Sequence, residues 1–106
     1  MPSWLPRVLK RVRALAGACR VGFTEKALVE MAGLGLSRED VRQILAGLRP
    51  VDVPTRLRSS LGEEWMYEFR PRAGGFSLYL KVVLRQNVVV VSCHEDQAAD
   101  GPDGAS

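Results

Sequence analysis

Residues 65–94 read WMYEFRPRAGGFSLYLKVVLRQNVVVVSCH, and the fold turns on this stretch. Trp65, Tyr67 and Phe69 alternate with Met66, Glu68 and Arg70, the period-two pattern of a half-buried strand. Residues 71–75 form a break rich in turn formers, and Phe76–Leu84 reads as a second strand. Gln86-Asn87 makes a tight turn, and residues 88–93 form a third strand rich in β-branched side chains. A two-residue loop at Gln86-Asn87 pairs Arg85 with Val88, Lys81 with Ser92, Tyr79 with His94, Leu80 with Cys93 and Val82 with Val91. A four-residue loop over 72–75 pairs Glu68 with Tyr79, Met66 with Lys81 and Arg70 with Ser77. The two registers agree with each other. One face becomes Trp65, Tyr67, Phe69, Leu78, Leu80, Val82, Val91 and Cys93. The other carries Glu68, Arg70, Tyr79, Lys81 and His94. A slip by one residue would bury both Glu68 and Arg70, so the burial pattern favours this register.

Upstream the period changes to that of helices. Over 4–19, Trp4, Val8, Val12, Leu15 and Cys19 recur at steps of three and four, placing them on one helical face. Phe23-Thr24 opens a second helix with Thr24 as N-cap, Ala27, Leu28 and Met31 as its buried stripe, and Gly33 and Gly35 at its end. Ser37 caps a third helix and forms a capping-box pair with Asp40; Val41, Ile44, Leu45 and Leu48 follow, and Gly47 and Pro50 close it. Residues 51–63 are polar and irregular, with a further short strand near 51–58. The expected fold class is α+β: three N-terminal helices packed on one face of a small antiparallel β-sheet.

The chain has 106 residues, 46% hydrophobic and 25% charged, which suits one globular domain over residues 1–96. Residues 97–106 are small, acidic and rich in Gly and Pro, and are expected to be a disordered tail. The formal net charge of +3 understates the basicity of the body, since residues 1–94 hold 15 basic and 8 acidic side chains. Segments 1–20 and 70–94 hold no acidic residue at all, which suggests an electropositive surface suited to a polyanion. The two cysteines, Cys19 and Cys93, form no CxxC pair, and there is one histidine. That set does not make a structural zinc site, so the cysteines read as buried thiols in a reducing compartment and no metal or other cofactor is expected. No apolar run approaches the roughly 20 residues that span a bilayer, and the basic start lacks the apolar stretch of a secretory signal, so a cytoplasmic location is expected.

The polar sheet face has the residue types that metal-free RNA cleavage requires. A base must take the 2′-hydroxyl proton, an acid must protonate the departing 5′-oxygen, and cations must stabilise the charged phosphorane. Glu68, Tyr79 and His94 form a cross-strand row, with Lys81 and Arg70 flanking it with positive charge. Taken singly, a strand tyrosine packs, a terminal histidine sits on the surface, and strand lysines and arginines face solvent. Their convergence on one face is what points to chemistry.

Residues 66–96 resemble the C-terminal half of MqsR-type toxins, bacterial mRNA-cleaving proteins with a RelE-like fold. Residues 23–48, with Leu-Gly-Leu at 34–36, look like that family's paired helices, and the Asp52 region and RLRSS at 56–60 follow in the expected place. The ordered set of Leu-Gly-Leu, Arg-Pro, Leu-Tyr-Leu-Lys and Val-Ser-x-His-Glu carries the likeness over roughly 23–96. The resemblance implies the toxin half of a type II toxin–antitoxin pair, an endoribonuclease that cuts mRNA without metal or ribosome. It also implies a cognate antitoxin partner, zinc-binding and DNA-binding in the best-known members. By the same resemblance Tyr79 matches the family's catalytic tyrosine, with Lys81 beside it, and Arg70-Pro71 its strand-end pair. His94 stands where a functional lysine stands in the best-known members, Met66 where a functional glutamine does, and Arg56 takes the place of a loop lysine. Arg56 and Arg72 join Lys81 and Arg70 as expected RNA-phosphate contacts. Two other readings remain: an inactive homologue that binds RNA or a protein without cutting, which Met66 fits, and a DNA-binding module built on the helices at 24–32 and 37–48, which have helix-turn-helix dimensions.

Overall fold

The computed structural model describes residues 3–50, 52, 55–58, 64–73 and 75–96. The segment 97–106, expected to be disordered, lies outside the described residues. Among the described residues the elements run α1 (Leu5–Gly17), β1 (Val21–Phe23), α2 (Glu25–Leu34), α3 (Arg38–Ala46), β2 (Thr55–Arg58), β3 (Trp65–Phe69), β4 (Arg72–Ala73), β5 (Phe76–Leu84) and β6 (Val88–Glu95). The sheet order is β1-β6-β5-β3-β2, and the two-residue β4 pairs with β5 alone. The α+β class therefore holds, but the sheet is mixed rather than antiparallel, because β1 runs parallel to β6. A three-residue strand carries too little periodicity to be read from sequence, and the local pattern reads Phe23 as the opening of a helix instead.

The helix boundaries follow their capping chemistry. Thr24 Oγ1 accepts from the Ala27 N–H at 3.1 Å, and Gly35 closes α2 in the left-handed region at φ 73°. Ser37 and Asp40 form the reciprocal capping box: Asp40 N–H donates to Ser37 Oγ at 3.0 Å, and Ser37 N–H donates to Asp40 Oδ2 at 2.8 Å. Ser37→Ala removes one of these acceptors and is expected to lower stability by about 0.5–2 kcal/mol. Urea denaturation checks this, and a variant as stable as the parent would refute that role for the cap.

The expected core forms with two corrections. Val8, Val12 and Leu15 of α1, Ala27 and Met31 of α2, Val41 and Leu45 of α3 and the sheet residues Tyr67, Phe69, Leu78, Leu80, Val82 and Cys93 join one buried cluster. Cys19 does not: it is exposed, at φ 61°. The helix ends at Gly17, and the Arg20 N–H turns back to the Leu15 carbonyl at 2.8 Å, which rotates Cys19 off the apolar face. Val91 is the second correction. Lys81 pairs with Ser92, but Val82 pairs with Val90, so Val91 is the extra residue of a β-bulge. Val88 and Val90 are fully buried in its place, and Leu84 rather than Arg85 pairs with Val88, so the turn spans three residues instead of two.

The β3–β5 register differs from expectation by two residues. Glu68 pairs with Lys81, Tyr67 with Val82 and Phe69 with Leu80. Arg72 and Ala73 continue the pairing onto Ser77 and Phe76, and Gly75 takes φ 95° in the turn. The strands thus pair further into the 71–75 segment than a four-residue loop allows. A shift of two keeps every side chain on its expected face, which is why the polar row survives the error.

Candidate functional site

The outer sheet face gathers its polar groups in two adjacent rows. In one, Tyr79 pairs with His94. In the other, Thr55, Glu68, Lys81 and Ser92 follow one another across β2, β3, β5 and β6. The Tyr79 and His94 rings stack with centroids 4.6 Å apart and planes 10° from parallel. The Tyr79 hydroxyl donates a short hydrogen bond to Glu68 Oε2, reached diagonally because the register places Lys81 directly opposite Glu68. Burial, and then the bond to the Glu68 carboxylate, push the phenol well above its ordinary pKa, so Tyr79 carries its proton throughout the physiological range.

His94 is exposed, and its Nδ1 lies 3.1 Å from the Glu95 carbonyl oxygen. A carbonyl only accepts, so the neutral tautomer this contact selects holds the proton on Nδ1 and leaves Nε2 as a proton acceptor. The Arg70 guanidinium sits 5.4 Å from the Tyr79 ring centroid, and its Nε is 3.4 Å from Oδ2 of the buried Asp96. Its backbone N–H donates to the Asp52 carbonyl at 2.7 Å, tying the end of β3 to the turn after α3. Lys81 is half-buried and has no ion-pair partner among the described residues.

Glu68, Arg70, Tyr79, Lys81 and His94 are thus brought together as the alternation requires. Arg72 is exposed at the margin, where its guanidinium reaches Ser77 Oγ at 3.4 Å. Arg56 is not part of this group. It pairs with Tyr67, on the helix-covered face, and stacks 3.9 Å from the Trp65 centroid and 5.2 Å from that of Trp4. The Arg58 guanidinium lies 4.5 Å from the Trp65 centroid, and together the two arginines brace β2 against the indoles through cation–π contacts. Arg56 matches the loop lysine by charge alone, and charge carries no register.

Sequence reasoning missed the contribution of α2. β1 ends at Phe23, so β6 beyond Val90 has no strand on that side. Residues of α2 and its cap take over. Thr24 Oγ1 donates to the Val91 carbonyl at 3.4 Å, Glu30 Oε1 accepts from the Cys93 N–H at 2.8 Å, and Lys26 Nζ donates to Ser92 Oγ at 2.8 Å. Lys26 also pairs with Glu30 Oε2 at 3.0 Å. Burial works to raise the Glu30 pKa, but the Cys93 amide and the Lys26 ammonium outweigh it and hold the carboxyl below its usual value. The Cys93 thiol is pushed up to about 11 by burial and by the nearby Glu30 charge, so it stays a thiol. The i,i+4 spacing of Lys26 and Glu30 was legible, but their neighbour across space was not.

His94 is exposed and Glu68, Arg70, Tyr79 and Lys81 are half-buried, so the group opens to solvent. A cleft of about 240 Å³ lies against Val21, Phe23, Leu28 and Arg38, and one of about 420 Å³ beside Arg7, Lys10 and Arg11 of α1. An open face with stacked rings and cations admits an extended polymer more readily than it encloses a small molecule. Among the described residues, no three His, Cys, Asp or Glu side chains group so as to hold a metal ion, and no helix is long and apolar enough to cross a membrane. No family model matches this chain, and no curated protein matches it significantly, so its chemistry rests on the residues above.

Proposed function

We propose that the protein is an endoribonuclease that cleaves single-stranded mRNA on this sheet face, acting as the toxin of a type II toxin–antitoxin pair. The observation that carries the reading is the Tyr79–His94 stack between Glu68, Arg70 and Lys81. His94 Nε2 takes the proton of a ribose 2′-hydroxyl, and the freed oxygen attacks the adjacent phosphorus. The P–O5′ bond breaks, and the departing oxygen takes its proton from Tyr79, whose high pKa keeps that proton available. Arg70 and Lys81 offset the added charge of the phosphorane. The flat rings offer bases a stacking surface, as single-stranded RNA requires. No step is assigned to a metal or other cofactor, and the toxin reading adds a cognate antitoxin, zinc-binding and DNA-binding by the resemblance, as the neutralising partner.

The test is direct. Purified protein with chelator present should fragment single-stranded RNA, and induction in bacteria should arrest growth. A soluble, antitoxin-free chain that does neither contradicts the reading. Met66 in place of the family's glutamine supports a second reading, an inactive RNA-binding homologue, which predicts retardation of RNA in gels with no product at any pH. Against the DNA-module reading, Arg42 of α3 donates to the Ala16 carbonyl at 3.0 Å and to Glu39, and α3 buries Val41 and Leu45.

A further inference from the structure

We propose that Lys26 of α2 and Ser92 of β6, together with Lys81, form a second phosphate-binding subsite, one nucleotide away from the bond that is cut. This rests on the ribonuclease reading and deepens it. Lys26 Nζ donates to Ser92 Oγ at 2.8 Å and to Glu30 Oε2 at 3.0 Å. Ser92 pairs directly with Lys81 across the sheet, so the hydroxyl that Lys26 bonds and the Lys81 side chain belong to one cross-strand pair. An ammonium has three N–H donors, and Lys26 spends two, which leaves one for a ligand oxygen. Its side chain is 62% exposed, so a ligand reaches it. Ser92 accepts from Lys26 and keeps its own proton to donate.

Glu30 is part of the device. One oxygen is fixed by the Cys93 amide, and the other holds the ammonium over Ser92. An ordinary i,i+4 pair on a helix stays on its own helix and is worth little. This one leaves the helix to bond a neighbouring strand, beside the residue that precedes His94 by two.

The spacing fits a polynucleotide. The Lys81–Ser92 row lies two residues along from the Tyr79–His94 row, about 7 Å at strand rise. RNA presents one phosphate per nucleotide, so a strand crossing both rows places neighbouring phosphates on each. The row with the acid and the base takes the scissile phosphate, Lys26 and Ser92 take the next, and Lys81 lies between the two.

Two measurements on the full chain test this. In the first, a dinucleotide with one internal phosphodiester is compared with the same dinucleotide bearing a 5′- or 3′-terminal phosphate. One of the two phosphates is expected to raise kcat/KM about tenfold, the size of one charge-assisted contact. Lys26→Gln should reduce that gain to about twofold or less, and Lys26→Arg should retain it. In the second, binding of single-stranded RNA to the His94→Ala chain is followed against salt. Adding Lys26→Gln should reduce the slope of log affinity on log salt by about 0.7, one phosphate contact. A parent that cleaves RNA while Lys26→Gln keeps the full phosphate gain and the full salt slope overturns the subsite and leaves the cleavage centre standing. A parent that cleaves nothing overturns the ribonuclease reading, and the salt slope then decides the subsite on its own.

Discussion

His94→Ala is expected to slow RNA cleavage by about 10²–10⁴-fold, the range for losing one general acid or base. The imidazole is the exposed member of the stack, and the Glu95 carbonyl beside Nδ1 fixes Nε2 as the acceptor. Its loss removes a proton acceptor and one ring of the stack, but no buried contact. Stability should therefore change by no more than about 1 kcal/mol, the worth of an exposed aromatic pair. Tyr79→Phe isolates the acid, since the ring and its stacking remain while the hydroxyl bonded to Glu68 disappears. Single-turnover rates with excess enzyme, alongside thermal melting, separate chemistry from folding. If both variants cut at the parental rate, the proton transfers assigned to them are wrong.

Phe69→Ala should remove a large share of the folding stability, about 3–5 kcal/mol. Domains of this kind are stable by only about 5–15 kcal/mol in total. Phe69 is fully buried and is the largest fully buried side chain among the described residues. It sits on β3 opposite Leu80, on the face that the helices cover. Removing the ring leaves a cavity that β-strand backbones on either side relax around only in part. Phe69→Leu keeps most of the volume and should cost much less. Denaturant midpoints for the pair give the comparison. A loss below about 1 kcal/mol for the alanine variant would mean that the helices do not pack on this face as described.

The parts of the fold that were legible share one property: each is encoded in a local pattern. The alternation over Trp65–Phe69 and in β5, the Thr24 cap and the Ser37–Asp40 box needed only neighbouring residues to be read, and each is present. Four consecutive valines at 88–91 have no alternation, so nothing in them marks Val91 as the bulged residue. The bulge restores the phase, which is why Tyr79 opposite His94 and Leu80 opposite Cys93 were right although the turn length behind them was wrong. β1 was invisible because three residues have no period and because a parallel partner lies 67 positions away. The site was legible to the same degree. Face membership follows from parity, so Glu68, Arg70, Tyr79, Lys81 and His94 were placeable. Arg56 was placed by charge alone, and charge has no parity. Lys26 and Glu30 were missed because a helix lies against the open edge of β6 only once β1 has ended.

Attack by the ribose 2′-hydroxyl is what calls for the base and acid drawn from His94 and Tyr79. The chemistry of the new ends on a cleaved RNA reports it most directly. A 2′,3′-cyclic phosphate on one fragment and a 5′-hydroxyl on the other is the predicted result. A 3′-hydroxyl facing a 5′-phosphate would show that water attacked instead, and would contradict it.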